Sequence, residues 1–128
     1  MKTLNKVFSN SQIYDIAVKI LNNFSNIEDV YLPAAVAFSI QKNKKMLVSL
    51  AEEIEQARMS ILSHYNVNND NKEIKIAADK IEDANNELKA LLSIEQELKI
   101  YTFKIEELDG VKFTSSQMDS ILFMIDEE

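Results

Sequence analysis

The feature that most constrains this chain is the stretch from Pro33 to Tyr65, which holds no glycine and no further proline. Pro33 stands where the first turn of a helix would be, a position at which its missing N–H costs nothing. At a rise of about 1.5 Å per residue, the stretch predicts a helical rod of about 50 Å. With one glycine and one proline in 128 residues, the chain is also poor in turn formers, so long helices are expected rather than an all-β fold.

The residues along this rod alternate in spacing between four and three, a pattern typical of coiled-coil packing. The series runs through Val36, Ile40, Asn43, Leu47, Leu50, Ile54, Ala57 and Ile61. A polar connector at residues 66–71 follows the rod, and the same spacing then recurs at Ile74, Ala77, Ile81, Ala84, Leu88 and Leu91. Two such seams joined by a short loop predict an antiparallel helical hairpin.

Asn43 is the one polar residue in the first seam, and Lys42, Lys44 and Lys45 surround it. Folding the hairpin about its connector brings Asn43 close to residues 93–95. We therefore interpret Asn43 as a residue that ends the apolar stripe and discourages a slipped register, a known use of polar seam positions. On this reading Asn43→Leu raises stability and loosens register.

The same folding brings the three lysines beside Glu95 and Glu97, and ion pairs between them are expected. The alternative interpretation is that the lysines contact an anion or a partner.

The flanking segments predict short elements around the hairpin. Ser9 with Gln12 and Thr114 with Gln117 have the spacing of capping boxes that begin helices. After the first of them, core-facing positions recur at Ile13, Ile16, Ala17, Ile20, Leu21 and Phe24. Residues 3–8 and 97–105 alternate as strands do, and the second is expected to pair with the first or, across a turn at Asp109 and Gly110, with residues 111–113.

The predicted fold is therefore mainly α (α+β). It comprises a long antiparallel helical hairpin with an N-terminal helix, a small β element and a short C-terminal helix. A single domain is expected over residues 1–128, ending in a small strand-turn-helix segment.

The net charge of −7 is unevenly distributed along the chain. Up to Leu50 there are six lysines and three acidic residues, whereas eight basic and eighteen acidic residues follow. Because phosphate contacts need clustered positive charge, direct nucleic-acid binding is not expected. The acidic half would suit a basic partner.

The sequence offers little for catalysis, so we expect a non-enzymatic protein without catalytic residues, cofactor or metal. His64 is the only histidine and there is no cysteine, which argues against zinc sites. A general base at His64 would need an orienting partner and a cleft. No signal peptide and no membrane span is recognisable, and a soluble cytoplasmic protein is expected.

A long rod with few residues around it must cover its remaining apolar surface. Packing against other chains is the strongest functional inference, and a homo-oligomer or a component of a larger assembly is expected. The candidate interaction residues are Lys42, Asn43, Lys44, Lys45, Met46, Met59, Leu62 and Phe123.

The order of these segments resembles small helical proteins of unknown function encoded among the morphogenesis genes of tailed bacteriophages. The matching residues are Lys42, Asn43, Leu47, Glu52, Glu55, Ala57, Arg58, Ile61 and Tyr65, then Leu98, Ile100, Leu108, Met118, Phe123, Met124 and Ile125. The resemblance implies a structural or assembly role in the virion, with no catalytic residues to carry over. It also implies a location in the cytoplasm of the host cell or within the virion. The alternative is a small acidic inhibitor of a host nucleic-acid-binding defence complex, as anti-CRISPR proteins are.

Overall fold

The computed structural model describes residues 2–24, 31–67 and 73–127. The helices are α1 (Asn10–Phe24), α2 (Ala34–Tyr65), α3 (Ile81–Ser93) and α4 (Ser115–Ile121), and the strands are β1 (Thr3–Ser9), β2 (Glu95–Tyr101), β3 (Phe103–Lys104) and β4 (Ile125–Asp126). Short 3-10 turns span Ala78–Lys80, Ile105–Leu108 and Leu122–Met124. The predicted fold class, mainly α with a small β element, is confirmed.

Both predicted capping boxes are present. At the start of α1, the Ser9 N–H donates to Gln12 Oε1 over 2.9 Å and the Gln12 N–H donates to Ser9 Oγ over 3.1 Å. The same reciprocal pair joins Thr114 and Gln117 at the start of α4. Each box supplies acceptors for N–H groups that have no partner within the helix, which fixes where these helices begin.

The seam of α2 is the spine of the hydrophobic core. Its members are buried as far as Ile54, apart from Leu50, which is half-buried against the core. The core also takes in residues of α1, β2, β3 and α4, namely Ile13, Ala17, Ile20, Phe24, Leu98, Ile100, Phe103 and Ile121. The heptad-like spacing therefore marks a buried face, and that face packs against several elements rather than against one partner helix.

The hairpin of α2 and α3 is much shorter than the sequence predicts. The second seam was expected from Ile74 onward, but α3 begins only at Ile81, and both of these isoleucines are exposed. The residues before α3 are extended because their backbone is bonded to the end of α2: the Lys75 N–H donates to Asn66 Oδ1, and the Val67 N–H donates to the Lys75 carbonyl. These bonds replace the helical ones that the periodicity predicts.

Tyr65, the last residue of α2, shows where the two helices meet. Its side chain lies beside Glu87, and burial together with the negative charge of Glu87 raises the pKa of the Tyr65 hydroxyl. The contact joins the end of α2 to the middle of α3, so α3 covers only the last part of the rod.

β1 and β2 form a two-stranded antiparallel sheet in which Thr3 faces Tyr101 and Ser9 faces Glu95. This pairing confirms the first of the two alternatives for the second strand. The other, a hairpin to residues 111–113, is wrong. The chain after β3 makes a 3-10 turn that buries Leu108, and Gly110 completes the reversal with a φ of 80°, which favours glycine.

The C-terminal segment returns to the start of the chain. β4 pairs in parallel with β3, an arrangement that the sequence does not suggest. Phe113 meets Phe24 edge to face, with ring centroids 5.9 Å apart. The predicted connector at residues 66–71 lies largely outside the described residues.

Candidate interaction surface

Asn43 is completely buried and holds the end of β2. Its Nδ2 donates to the Tyr101 carbonyl over 2.8 Å, and its Oδ1 accepts from the Tyr101 N–H over 2.9 Å. The prediction that Asn43 faces residues 93–95 is therefore wrong. The Asn43 amide satisfies both the N–H and the C=O of Tyr101. A side chain from α2 therefore takes the place that a neighbouring strand would have at this residue.

The three lysines around Asn43 are not equivalent. Lys44 Nζ donates to the Phe24 carbonyl over 2.9 Å, so a cation closes the C-terminal end of α1, where helix carbonyls lack partners. Lys42 Nζ lies 5.4 Å from the centre of the Phe38 ring, at a distance typical of a cation–π contact. Lys45 is exposed.

The expected ion pairs with the acids of β2 are absent. Across residues 2–24, 31–67 and 73–127, none of these lysines lies within salt-bridge distance of Glu95 or Glu97. The hairpin is too short to bring the two groups together, because α3 ends at Ser93 beside α1 rather than beside residues 42–45. Asn10 marks this junction, since its Nδ2 donates to the Leu91 carbonyl over 2.9 Å.

The four apolar candidates divide into two pairs. Met46 and Phe123 are half-buried and pack against the core, and the Phe123 ring meets Phe8 edge to face at 6.1 Å. Met59 and Leu62 lie on the far half of α2, where Met59 is 41% exposed and Leu62 is half-buried. The eight candidate residues therefore do not form one surface, and only the second pair extends the apolar surface outward.

An exposed apolar stripe that the sequence analysis missed runs along α1. We call it the α1 stripe: Tyr14, Val18 and Leu21, each about two-fifths exposed. The expectation that Leu21 faces the core is wrong, and Ile16 is only half-buried. The signal was available, because residues 14, 18 and 21 follow the four-three spacing, but they flank a stronger set at positions 13, 17, 20 and 24.

The α1 stripe and Met59 lie on neighbouring parts of the surface. Lys44 contacts the C-terminal end of α1, whereas Arg58, further along α2, lies near Tyr14 in the first half of α1, so the two helices run antiparallel. Arg58 Nη2 in turn lies 3.9 Å from Met59 Sδ. Tyr14, Arg58 and Met59 thus connect the stripe to the exposed side of α2.

Glu55 and Arg58 form a rigid polar rim beside this stripe. The guanidinium donates from Nε over 3.0 Å and from Nη2 over 2.7 Å to the two carboxylate oxygens. These hydrogen bonds hold the pKa of Glu55 below its ordinary value, although desolvation acts the other way. A two-point pair of this kind fixes the direction of both side chains.

Asp126 is a buried carboxylate that the sequence analysis did not single out. Its Oδ2 lies 2.9 Å from Lys2 Nζ and 3.5 Å from Lys104 Nζ, in a cleft that Thr102 and Glu107 also line. Buried charges are costly unless paired, and this one joins β3, β4 and the residue before β1. Its contacts with Lys2 and Lys104 make it a structural link between the beginning and the end of the chain.

No constellation for chemistry emerges from the parts of the chain that the structure describes. Within them, no group of three or more histidine, cysteine, aspartate or glutamate side chains could hold a metal ion. His64 is exposed and meets Tyr65 edge to face at 5.0 Å. None of the described helices is long and apolar enough to cross a membrane.

Comparisons with protein-family models, with curated proteins and with solved structures found no match to this chain.

Proposed function

We propose that this protein is a non-enzymatic structural or assembly component that works through helix-mediated protein–protein contacts. The observation that carries the proposal is the α1 stripe. Three large apolar side chains at four-three spacing stay about 40% exposed, although the helix that bears them is firmly packed on its other side. This spacing is the one against which a second amphipathic helix packs.

The neighbourhood of the stripe suits such a partner. Met59 is a flexible apolar side chain beside it, and methionines adapt to a partner's shape at low cost. The Glu55–Arg58 pair supplies a fixed polar rim, as the borders of protein interfaces commonly do. An apolar centre with a polar border is the expected anatomy of an interface between helices.

The resemblance to small proteins of phage morphogenesis gives this proposal its setting. In that setting the partners are virion components or further copies of this chain, and the protein acts in the host cytoplasm or within the virion. No step of this role needs a cofactor, and His64→Ala is expected to leave it unchanged.

The test is site-specific photo-cross-linking from the stripe, with this chain co-expressed with the proteins encoded beside it. A photoreactive phenylalanine analogue replaces Val18, and a matched control carries it at Asn86, an exposed position on α3. We expect adducts from position 18 to one defined structural protein and few from position 86. Equal labelling from both positions, or none from position 18, would count against the proposal.

A substitution gives an independent readout of the same surface. Val18→Asp places a charge in the middle of the stripe without touching the core, so folding should persist while the complex is lost. Circular dichroism and the thermal midpoint check folding, and co-sedimentation with the partner checks binding. A complex that survives the substitution would show that the stripe is not the contact.

A second candidate function rests on the acidic surface of α3. Asp79, in the turn just before α3, is exposed, as are Glu82, Asp83 and Glu87 on the helix. Among the described residues, only Asp83 of these four has a lysine partner, Lys80 at 3.7 Å. Such a surface would suit an acidic inhibitor of a host nucleic-acid-binding defence complex. This function predicts binding that weakens steeply with added salt and is lost in an Asp79, Glu82 and Asp83 triple alanine variant. A contact through the α1 stripe would be little affected by either change.

A further inference from the structure

The outer edge of β1 is a second candidate binding surface, and it is separate from the α1 stripe. In an antiparallel pair, residues alternate between exchanging hydrogen bonds with the partner strand and pointing these groups away from it. The Thr102 N–H donates to the Lys2 carbonyl, which makes the even-numbered residues of β1 the bonded ones. Tyr101 gives its backbone groups to Asn43, which agrees with that register.

It follows that Thr3, Asn5 and Val7 direct their backbone N–H and C=O groups away from β2. No described residue accepts from or donates to these groups. The side chains of Asn5 and Val7 are exposed, and Val7 is 57% so. β1 therefore presents an open edge of three residues with no proline and no bulge to interrupt it.

The opposite edge of the sheet differs in each respect. On β2, Asn43 closes the backbone at Tyr101, and the exposed side chains beside the remaining edge are Glu95, Glu97 and Lys99. Charged side chains and a covering element are ordinary protections of a sheet edge against pairing. On β1, in contrast, the side chains of Thr3, Asn5 and Val7 are uncharged. The edge of β2 is therefore protected against pairing, and the edge of β1 is open.

We propose that the edge of β1 pairs antiparallel with the β1 edge of a second copy, across a two-fold axis at Asn5. The free residues are spaced symmetrically about Asn5, so Thr3 meets Val7 of the other copy and Asn5 meets its own equivalent. All three positions then become hydrogen-bonded pairs, and a two-stranded sheet becomes a four-stranded one. A self-complementary edge is what a closed two-fold dimer requires.

Charge supports a second copy at this edge. Each copy carries a net charge of −7, and its excess of acids lies after Leu50, whereas β1 belongs to the basic half. The two lysines near the edge are already engaged, Lys2 with Asp126 and Lys6 with the Phe123 carbonyl. Two acidic molecules thus meet where neither presents an unbalanced charge, which avoids like-charge repulsion across the axis.

The experiment uses opposite charges at the two-fold axis. Asn5→Lys and Asn5→Glu each place like charges against each other in a homodimer, and we expect each to weaken dimerisation by about tenfold. An equimolar mixture of the two variants should restore it as a heterodimer. Lys99→Glu is the matched control, because Lys99 faces Asn5 within the sheet but lies on the other edge. Light scattering after size exclusion gives the mass, and circular dichroism checks folding.

Amide hydrogen exchange on the unmodified protein gives a second readout that needs no variant. Exchange at Asn5 and Val7 should slow as protein concentration rises, while exchange at Glu97 and Lys99 should not change. A protein that stays monomeric at every concentration would overturn the inference. So would a dimer that neither Asn5 variant weakens, or open-ended oligomers, which would indicate pairing of β1 with β2. None of these results would bear on the α1 stripe, whose test uses Val18.

Discussion

Two buried asparagines hold the two ends of β2, and they do so in different ways. Asn43 gives its whole side chain to the backbone of Tyr101. Asn10 divides its side chain, donating to the Leu91 carbonyl and accepting from Gln96 Nε2 over 2.7 Å, while its own N–H donates to the Ile94 carbonyl. Asn43 takes the place of a neighbouring strand at Tyr101. Asn10, at the start of α1, instead hydrogen-bonds to residues on both sides of the junction between α3 and β2.

The difference lies in what remains if each amide is removed. Without Asn43, the N–H and the C=O of Tyr101 both lose their side-chain partner. Without the Asn10 side chain, its backbone bond to Ile94 persists, and the Leu91 carbonyl still accepts from the Ile94 N–H. Each polar group left without a partner costs free energy, and the loss of Asn43 leaves more backbone groups in that state, so the two sites should differ in energy.

The largest expected effect is therefore that of Asn43→Leu. We expect it to lower the free energy of unfolding by about 3 kcal/mol, because the N–H and C=O of Tyr101 are each left without a partner. This reverses the sequence-based expectation that leucine would stabilise the seam. Urea denaturation measures the loss, and faster amide exchange at Tyr101 locates it. An unchanged or higher stability would show that water replaces the asparagine at no cost.

Asn10→Ala should cost about 1–2 kcal/mol, less than the loss at Asn43. The same urea titration compares the two variants directly. Amide exchange should quicken at the start of β2, near Gln96, and remain slow at Tyr101. Equal acceleration of amide exchange along the whole of β2 in both variants would contradict this prediction, because it would show that the strand opens as one unit.

The structural importance of Asn43 could be predicted from the sequence, whereas that of Asn10 could not. Asn43 interrupts an apolar series, so its burial could be inferred, but its partner could not. The partner depends on α3 beginning only at Ile81, and that is set by backbone bonds between residues 66–67 and 75–76. Asn10 stands beside a capping serine and looks like an ordinary helix start. Local signals such as caps and seams predicted the elements. Of the long-range pairings, that of β1 with β2 was anticipated as one of two alternatives, whereas the partner of Asn43 and the pairing of β3 with β4 were not.

The candidate surface shows the same limit. Periodicity located the buried face of α1 but could not tell which flank a neighbouring helix would cover. Leu21 belongs to the apolar pattern as much as Ile20 does, yet Ile20 is completely buried and Leu21 is 40% exposed. Which of them remains exposed depends on where α2 and α4 pack, and that is a property of the assembled fold.

Ser39 offers a contrast on the same helix, about one turn before Asn43. It is completely buried, and among the described residues its Oγ has no hydrogen-bond partner. Because burying an unpartnered hydroxyl is unfavourable and alanine is the better helix former, Ser39→Ala should raise stability by about 1 kcal/mol. Ser120→Ala is the matched control. Its Oγ donates to the Gln117 carbonyl, so the same change should lower stability there.

The smallest expected effect concerns the Glu55–Arg58 pair, the exposed counterpart of these buried contacts. The pKa of Glu55 is lower in the folded protein than in the unfolded chain, so the pair stabilises the fold above the unfolded pKa. That contribution is lost as the pH falls through the folded pKa. Arg58→Gln should return the Glu55 pKa towards its ordinary value, which a carboxyl NMR titration measures. The urea midpoint at neutral pH should hardly move, since exposed pairs contribute little. A marked drop in stability would mean that this rim already supports the fold of the isolated chain, as the buried asparagines do.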